Sequence, residues 1–258
     1  MCASALWKPI MNSLKFVDVH HFIDIRMAEF YENKSALIQS VQFEDILKNF
    51  TFDWFHNENI NSGQDFVMKL LELTLRPQED SLFEALLKQI AIFVTSKTYH
   101  GYQSSLRGID LEFQKQKTYY FAKIRLNNQQ LPFSKASLKT DFEHAKETLL
   151  AQNQNLAIQP IIGTCYGNSK TILTKNGVLK LYGQSFWHFL SGDVDFYIRM
   201  MKSIGHCAKK HRYIFLEHKA KLINILIFRF IKQFCLADGA INWEKLLQLN
   251  SQNLDTPN

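Results

Sequence analysis

Two carboxylates and two cations lie on neighbouring short segments of this sequence. Asp110 and Glu112 follow Gly108 in the first segment, and Lys123 and Arg125 end the second. Both segments have the character of strands, and residues two apart on a strand project from the same face of a sheet. A carboxylate pair that faces a cationic pair is the arrangement that metal-assisted cleavage of a phosphodiester requires. The spacing therefore predicts a metal site at this hairpin.

A simpler interpretation of the same four residues stays open. Asp110 and Glu112 would then be ordinary outward-facing strand residues, paired with Lys123 and Arg125 across a solvated hairpin. Cross-strand pairs of opposite charge are common in such hairpins. Short motifs also match by chance.

The first third of the chain is predicted to be helical. Apolar residues recur at near-helical spacing over 19–40 and again over 64–75. Pro77 is expected to end the second helix, because proline removes a backbone donor. Asp80 or Ser81 is suited to cap a third helix.

The middle of the chain has the order of an α/β protein. Residues 97–107 read as a loop, the two charged segments form a hairpin, and an amphipathic helix begins at Ser137. A buried strand over 157–167 follows, which makes that helix a crossover between strands. Beyond it, an aromatic helix over 183–190 is expected to stop at Gly192.

These elements favour a single domain over residues 1–258. Its parts are a helical segment (1–96), a core that carries the charged hairpin (97–167) and an aromatic, helical C-terminal part (168–250). The chain is long enough to bury one large core.

Charge and cysteine content narrow the function classes. The 30 Lys and Arg against 24 Asp and Glu give a net charge of +6, which favours a polyanionic partner. The four cysteines show neither zinc-ligand nor redox spacing, and we see no secretory leader, so a cytoplasmic location is expected. The most apolar run, 222–230, is too short to span a membrane.

Several co-linear blocks resemble the PmeII group of type II restriction endonucleases, in the PD-(D/E)XK superfamily. The blocks are Gly108-Ile-Asp-Leu-Glu-Phe113, Gly163-Thr-Cys-Tyr-Gly167, Leu179-Lys-Leu-Tyr-Gly-Gln-Ser-Phe-Trp187, Ser191-Gly192 and residues 238–247. The resemblance implies an α/β fold with a restriction-endonuclease-like core, a mixed sheet flanked by helices, and helical N- and C-terminal parts. It also implies Mg²⁺-dependent cleavage of double-stranded DNA at a short specific site, usually by a homodimer.

The resemblance assigns expected roles residue by residue. Asp110 stands where the family has its metal-binding aspartate, and Glu112 or Glu84 would supply a second metal ligand. Arg125 stands where the family has the site lysine, and Lys123 stands where it has a small polar residue. Both are candidates to stabilise charge on the phosphate during catalysis.

A further departure lies on the preceding helix, where Lys88 falls at a position that commonly offers a glutamate. All three departures reduce negative charge or change the cation. Two functions therefore compete: a metal-dependent, site-specific endodeoxyribonuclease, and a nuclease-fold DNA-binding protein in which cleavage is impaired. A scaffold with no role on DNA would explain the composition but not the co-linear blocks.

Overall fold

A computed structural model of the chain describes residues 14–51, 60–127, 135–152 and 156–251. These residues form two compact units. The first contains the described residues up to Met27 and those from Phe83 to Ala208, and the second contains Ala28–Leu82 and the described residues from Lys209 onwards. The single domain over 1–258 stays a prediction, and each unit is described by itself.

The helices and strands are numbered in chain order. The described helices are α1 (Phe16–Ser40), α2 (Phe43–Leu47), α3 (Gly63–Tyr99), α4 (Lys135–Gln152), α5 (Gly183–Ser191), α6 (Phe196–His211), α7 (Tyr213–Phe234) and α8 (Trp243–Ser251). The strands are β1 (Tyr102–Gln103), β2 (Leu111–Lys115), β3 (Thr118–Arg125), β4 (Ala157–Thr164), β5 (Ile172–Leu173) and β6 (Leu179–Tyr182).

The first unit contains one mixed six-stranded sheet in the order β1-β2-β3-β4-β6-β5. Strands β2 and β3 are antiparallel and form the predicted hairpin. Strands β3, β4 and β6 run parallel, with α4 as the connection between β3 and β4. A mixed sheet flanked by helices confirms the fold class expected from the sequence.

Helix α4 covers the sheet beside the hairpin. Phe142 and Ala145 of α4 pack with Phe121 of β3 in one buried cluster. The rings of Phe121 and Phe142 meet edge to face, with centroids 5.4 Å apart. Burial of such rings is a large stabilising contribution, so β3 has a fixed position in the sheet.

Strand β4 and helix α5 approach so closely that only glycine fits at position 163. A Cβ atom at Gly163 would lie 2.1 Å from the Phe186 ring. Trp187, the next residue of α5, is fully buried and donates its indole N–H to the Cys165 carbonyl, 2.8 Å away. The predicted stop is confirmed, because Gly192 caps α5 in the left-handed conformation.

The predicted end of a helix at Pro77 is wrong, since α3 continues through it. Pro77 has no backbone N–H to donate to the Leu73 carbonyl. Buried apolar residues lie both before and after the proline, however, and their packing favours the helical backbone over a break. They are Phe66, Val67, Leu70, Leu71 and Leu75 before it, and Leu86, Leu87, Ile90, Ala91 and Val94 after it.

The predicted loop over 97–107 begins later than expected, because α3 continues to Tyr99. His100 then adopts a left-handed backbone conformation with φ of 54°. The Gly101 N–H donates to the Thr95 carbonyl at 3.0 Å, which closes the helix end.

The second unit has a core of its own, built from α2, α7, α8 and parts of α1 and α3. Phe66 stacks on Phe230 with ring centroids 4.8 Å apart, and Trp243 packs on Phe66 edge to face. Within the described ranges, no helix combines the length and apolar character needed to cross a bilayer.

Candidate active site

Asp110 is fixed by the backbone at the start of the hairpin. It lies one residue before β2, and its N–H donates to the Ala122 carbonyl at 2.9 Å. Its side-chain Oδ2 accepts a 2.7 Å hydrogen bond from the Ile124 N–H. The continuation of the register places Lys123 opposite Asp110. The carboxylate is therefore held at the end of β3.

Glu84 reaches the same end of β3 from helix α3. Its Oε2 accepts a 3.1 Å hydrogen bond from the N–H of Leu126, the residue that follows the strand. Its Oε1 lies 2.8 Å from the Nζ of Lys88, one helical turn further along α3. Glutamate followed by lysine four residues later is the favourable order for an ion pair on a helix.

The Lys88 ammonium bridges the two carboxylates. In addition to its contact with Glu84, its Nζ lies 3.3 Å from Asp110 Oδ1. Lys123 adds a second cation, with its Nζ 3.4 Å from Asp110 Oδ2. The four side chains are only 16–24% exposed, so water weakens these attractions less than at an open surface.

The electrostatic balance keeps Lys88 protonated. Burial alone would lower the pKa of Lys88, but the hydrogen bond to Glu84 and the negative charge of Asp110 outweigh it, so the pKa is raised. The ammonium therefore stays charged between its two partners at neutral pH.

Glu112 makes its hydrogen bonds away from this group. It is 4% exposed, and its carboxylate accepts 2.6 Å hydrogen bonds from the Ser104 hydroxyl and the Tyr119 hydroxyl. A buried carboxylate needs such partners, because an unpaired buried charge is costly. Glu112 thus supports the hairpin and the residues before it.

The Tyr119 contact predicts a loss of stability at high pH. Burial and the hydrogen bond to Glu112 raise the pKa of Tyr119 well above its ordinary value. Because the folded pKa is the higher one, the stabilisation is fully present below the unfolded pKa of about 10 and is lost as pH rises above it. Tyr119→Phe should therefore make the free energy of unfolding less sensitive to pH above about 10.

Chemical denaturation at pH 8 and at pH 10.5 would measure this difference. Tyr213→Phe is the control, since Tyr213 is 75% exposed and should leave the pH dependence unchanged. An equal pH dependence in wild type and Tyr119→Phe would contradict the prediction.

Arg125 lies two residues beyond Lys123 on β3 and shares its face by strand alternation. Its main chain pairs with Thr164 of β4. Its Nε atom is buried and has no hydrogen-bond partner among the described residues. An unsatisfied buried donor of this kind costs about 1–3 kcal/mol.

The geometry thus brings together Glu84, Asp110 and Lys123 of the expected site, with Lys88 between the two carboxylates. Carboxylates lie at the end of a strand pair in a mixed sheet flanked by helices, which is the fold class of restriction-endonuclease-like proteins. The sequence matches the family of type II restriction endonuclease EcoO109I over residues 17–212, about three quarters of the chain. The chain belongs to this family of DNA endonucleases.

No individual curated protein matches the chain. The family match supports a type II restriction endonuclease but does not single out the PmeII group.

Members of this family generally use a divalent metal, and the arranged residues do not fit one. Each oxygen of Glu84 and Asp110 already has a partner, either a backbone N–H or an ammonium. A metal at this point would have to displace Lys88 and would also meet Lys123. Within the described part of the chain, no group of three or more His, Cys, Asp or Glu residues is placed to hold a metal ion.

Two contacts of the site were absent from the sequence prediction. The Glu84 and Lys88 positions, four apart on a predicted helix, carried the signal of an ion pair. Tyr119 shares its strand face with Lys123, and the hairpin register places it diagonally across from Glu112, two residues from the directly opposite Phe121. Neither signal showed that one ammonium would join two carboxylates.

Proposed function

We propose that this chain binds duplex DNA as a nuclease-fold protein in which phosphodiester cleavage is impaired. The observation that carries the proposal is the Lys88 ammonium, which lies 2.8 Å from Glu84 and 3.3 Å from Asp110. Lys88 balances one of the two carboxylate charges and Lys123, beside Asp110, balances the other, so the group attracts a divalent ion only weakly. The DNA role rests on the family and on the net charge of +6.

The cation at position 125 adds a second reason for slow cleavage. A lysine beside the attacking water is a compact ammonium whose pKa can be tuned, whereas the guanidinium of Arg125 stays protonated and cannot act as a base. Arg125 and Lys123 are suited instead to neutralise a phosphate. The residues thus favour binding of the DNA backbone over its hydrolysis.

An active, Mg²⁺-dependent endonuclease that cuts double-stranded DNA at a short specific site is the second candidate. It is favoured by the way that backbone N–H groups of β3 and Leu126 hold Asp110 and Glu84 in place, independently of Lys88. Membership of the PmeII group belongs to this candidate. Incubation of the protein with unmethylated plasmid and Mg²⁺ or Mn²⁺ at low salt distinguishes the two, since vigorous cutting would favour the enzyme.

DNA binding should be strong at low salt and should fall steeply as salt rises. Basic side chains that neutralise phosphates release counterions, and about four such contacts reduce affinity about 100-fold between 50 and 200 mM salt. Exposed lysines near the end of α6, Lys209 and Lys210, add to the positive charge available for contacts. Gel-shift titrations of a duplex of about 30 base pairs would give the slope, and no binding at 50 mM salt would favour the scaffold alternative.

We also propose that the chain forms a homodimer through helix α7. The outward side of α7 exposes large apolar side chains, namely Ile214, Ile225, Phe228 and Ile231. If two copies of α7 pair antiparallel about the point between Asn224 and Ile225, Glu217 of each copy lies opposite Lys232 of the other. This register also places Phe228 opposite Lys221. The Glu217 and Lys232 charges are thus complementary between two copies, and a second copy would cover the exposed apolar side chains.

Like charges placed opposite each other should disrupt this dimer. Exchange of the Glu217 and Lys232 charges should restore it. Phe228→Lys, which would face Lys221 of the other copy, or Glu217→Lys alone, should reduce the mass seen by light scattering towards the 30.2 kDa of one chain. Glu217→Lys combined with Lys232→Glu should return the dimer, because opposite charges face each other again. Leu173→Glu is the control, since Leu173 is 63% exposed on the sheet of the first unit. A dimer that survives Phe228→Lys would contradict this interface.

A cytoplasmic location remains part of the proposal. It is supported by Cys165 and Cys235, whose thiols are not in disulfide bonds and suit a reducing compartment.

A further inference from the structure

We propose that Lys88 takes the place of the divalent ion as a permanent internal cation, and that Lys123 and Arg125 bind a DNA phosphate directly. Binding of DNA by this chain would then be independent of divalent metal. The inference rests on the proposed DNA-binding function and names the backbone phosphodiester as the ligand of this site.

The first argument is the charge of the group. Lys88 balances one of the two negative charges of Glu84 and Asp110, and it reaches both of them at hydrogen-bonding or near hydrogen-bonding distance. Lys123 balances the other negative charge, and Arg125 leaves the group with one surplus positive charge. A surplus cation in a partly buried position attracts an anion, and a phosphate oxygen is the anion that DNA offers.

The second argument is the unsatisfied donor on Arg125. Its Nε is buried without a hydrogen-bond partner in the described residues, although the cost of leaving such a donor unpaired is substantial. Rotation of the enclosed guanidinium towards a phosphate at this face of β3 would give the donor a partner, because guanidinium groups bind phosphate through parallel N–H donors. Lys123 lies on the same face of β3, two residues away.

The third argument is that the side chains of Asp110 and Glu84 are already held in position without a metal. A divalent ion between two carboxylates holds them in position and screens DNA phosphate from their negative charge. The Lys88 ammonium and the backbone donors of Ile124 and Leu126 meet both needs without a metal. Addition of metal should therefore bring no gain in affinity for DNA.

The test is a titration of a fluorescent duplex of about 30 base pairs with the full chain, at low salt, in EDTA and in 5 mM Mg²⁺ at matched ionic strength. Affinities in the two buffers should agree within about twofold. Arg125→Met and, separately, Lys123→Met should weaken binding in EDTA about tenfold. Lys48→Met is the control, since its side chain is 76% exposed and pairs with Asp45 outside this site, and it should change affinity less than twofold.

Each result separates the inference from the proposed function. Binding that requires Mg²⁺ would overturn the inference and leave DNA binding intact. Absence of binding in both buffers would overturn the proposed function itself. Binding in EDTA that neither Arg125→Met nor Lys123→Met weakens, with both variants folded by circular dichroism, would show that the phosphate contacts lie elsewhere.

Discussion

Replacement of the three cations by Lys88→Glu, Lys123→Ser and Arg125→Lys together should produce Mg²⁺-dependent cleavage of plasmid DNA, at a rate at least about 100-fold above wild type. This magnitude is typical of the gain or loss of one positioned acid-base group. Nicked and linear products on agarose gels, followed over time, would measure the rate.

The physical reason has two parts. Lys88→Glu and Lys123→Ser remove the ammonium groups that lie 3.3 Å and 3.4 Å from Asp110, so the carboxylates become available to a hard cation. Arg125→Lys returns a compact ammonium whose pKa the surroundings can tune. Lys88→Glu is the essential change of the three, because Lys123→Ser with Arg125→Lys leaves the Lys88 ammonium between the two carboxylates.

Two controls make this result decisive. Asp110→Ala in the triple variant should abolish the restored cleavage, since Asp110 is the carboxylate fixed at the end of β3. Cleavage that survives this change would mean that the active site lies elsewhere. Fast cutting by wild type would show that Lys88 and Arg125 do not impair the enzyme.

Loss of the Lys88 ammonium alone should destabilise the folded chain in the absence of metal. Lys88→Ala leaves Glu84 and Asp110 as neighbouring, largely buried carboxylates without their shared cation. The backbone N–H groups and Lys123 still contact the two carboxylates, but loss of the shared ammonium in this partly enclosed group should lower the unfolding free energy by about 2 kcal/mol. Urea denaturation of wild type and variant in EDTA would measure the change.

Lys139→Ala is the matched control for that measurement. Lys139 forms an ion pair with Glu143 at the same spacing of four residues, but both side chains are at least 60% exposed. Exposed pairs contribute little, so the free energy of unfolding should change by less than about 0.5 kcal/mol. Equal effects of Lys88→Ala and Lys139→Ala would contradict the bridging role of Lys88.

Much of the fold was predictable because its signals are local. The hairpin carried strand alternation and a short turn, and α5 ended at Gly192, where a left-handed residue was needed. The error at Pro77 arose because packing of buried residues on both sides outweighs the local preference of proline to break a helix.

The candidate site was predictable only in part. Strand alternation placed Asp110 and Lys123 together, as the structure also does. By alternation alone, Glu112 was as good a candidate metal ligand as Asp110. In the structure, the hydroxyls of Ser104 and Tyr119 donate hydrogen bonds to Glu112 instead. Which partner a buried carboxylate finds depends on contacts between distant segments, and sequence spacing does not encode them.

The response of the melting temperature to Mg²⁺ tests most directly whether Lys88 replaces the metal. Wild type should show no saturable shift, because the carboxylates already have partners. In Lys88→Glu, the free energy of unfolding should rise by about 2.7 kcal/mol at a free Mg²⁺ concentration about 100 times the dissociation constant. The melting temperature should then rise by on the order of 5 °C. A saturable Mg²⁺ shift in wild type that disappears in Asp110→Asn would contradict the account.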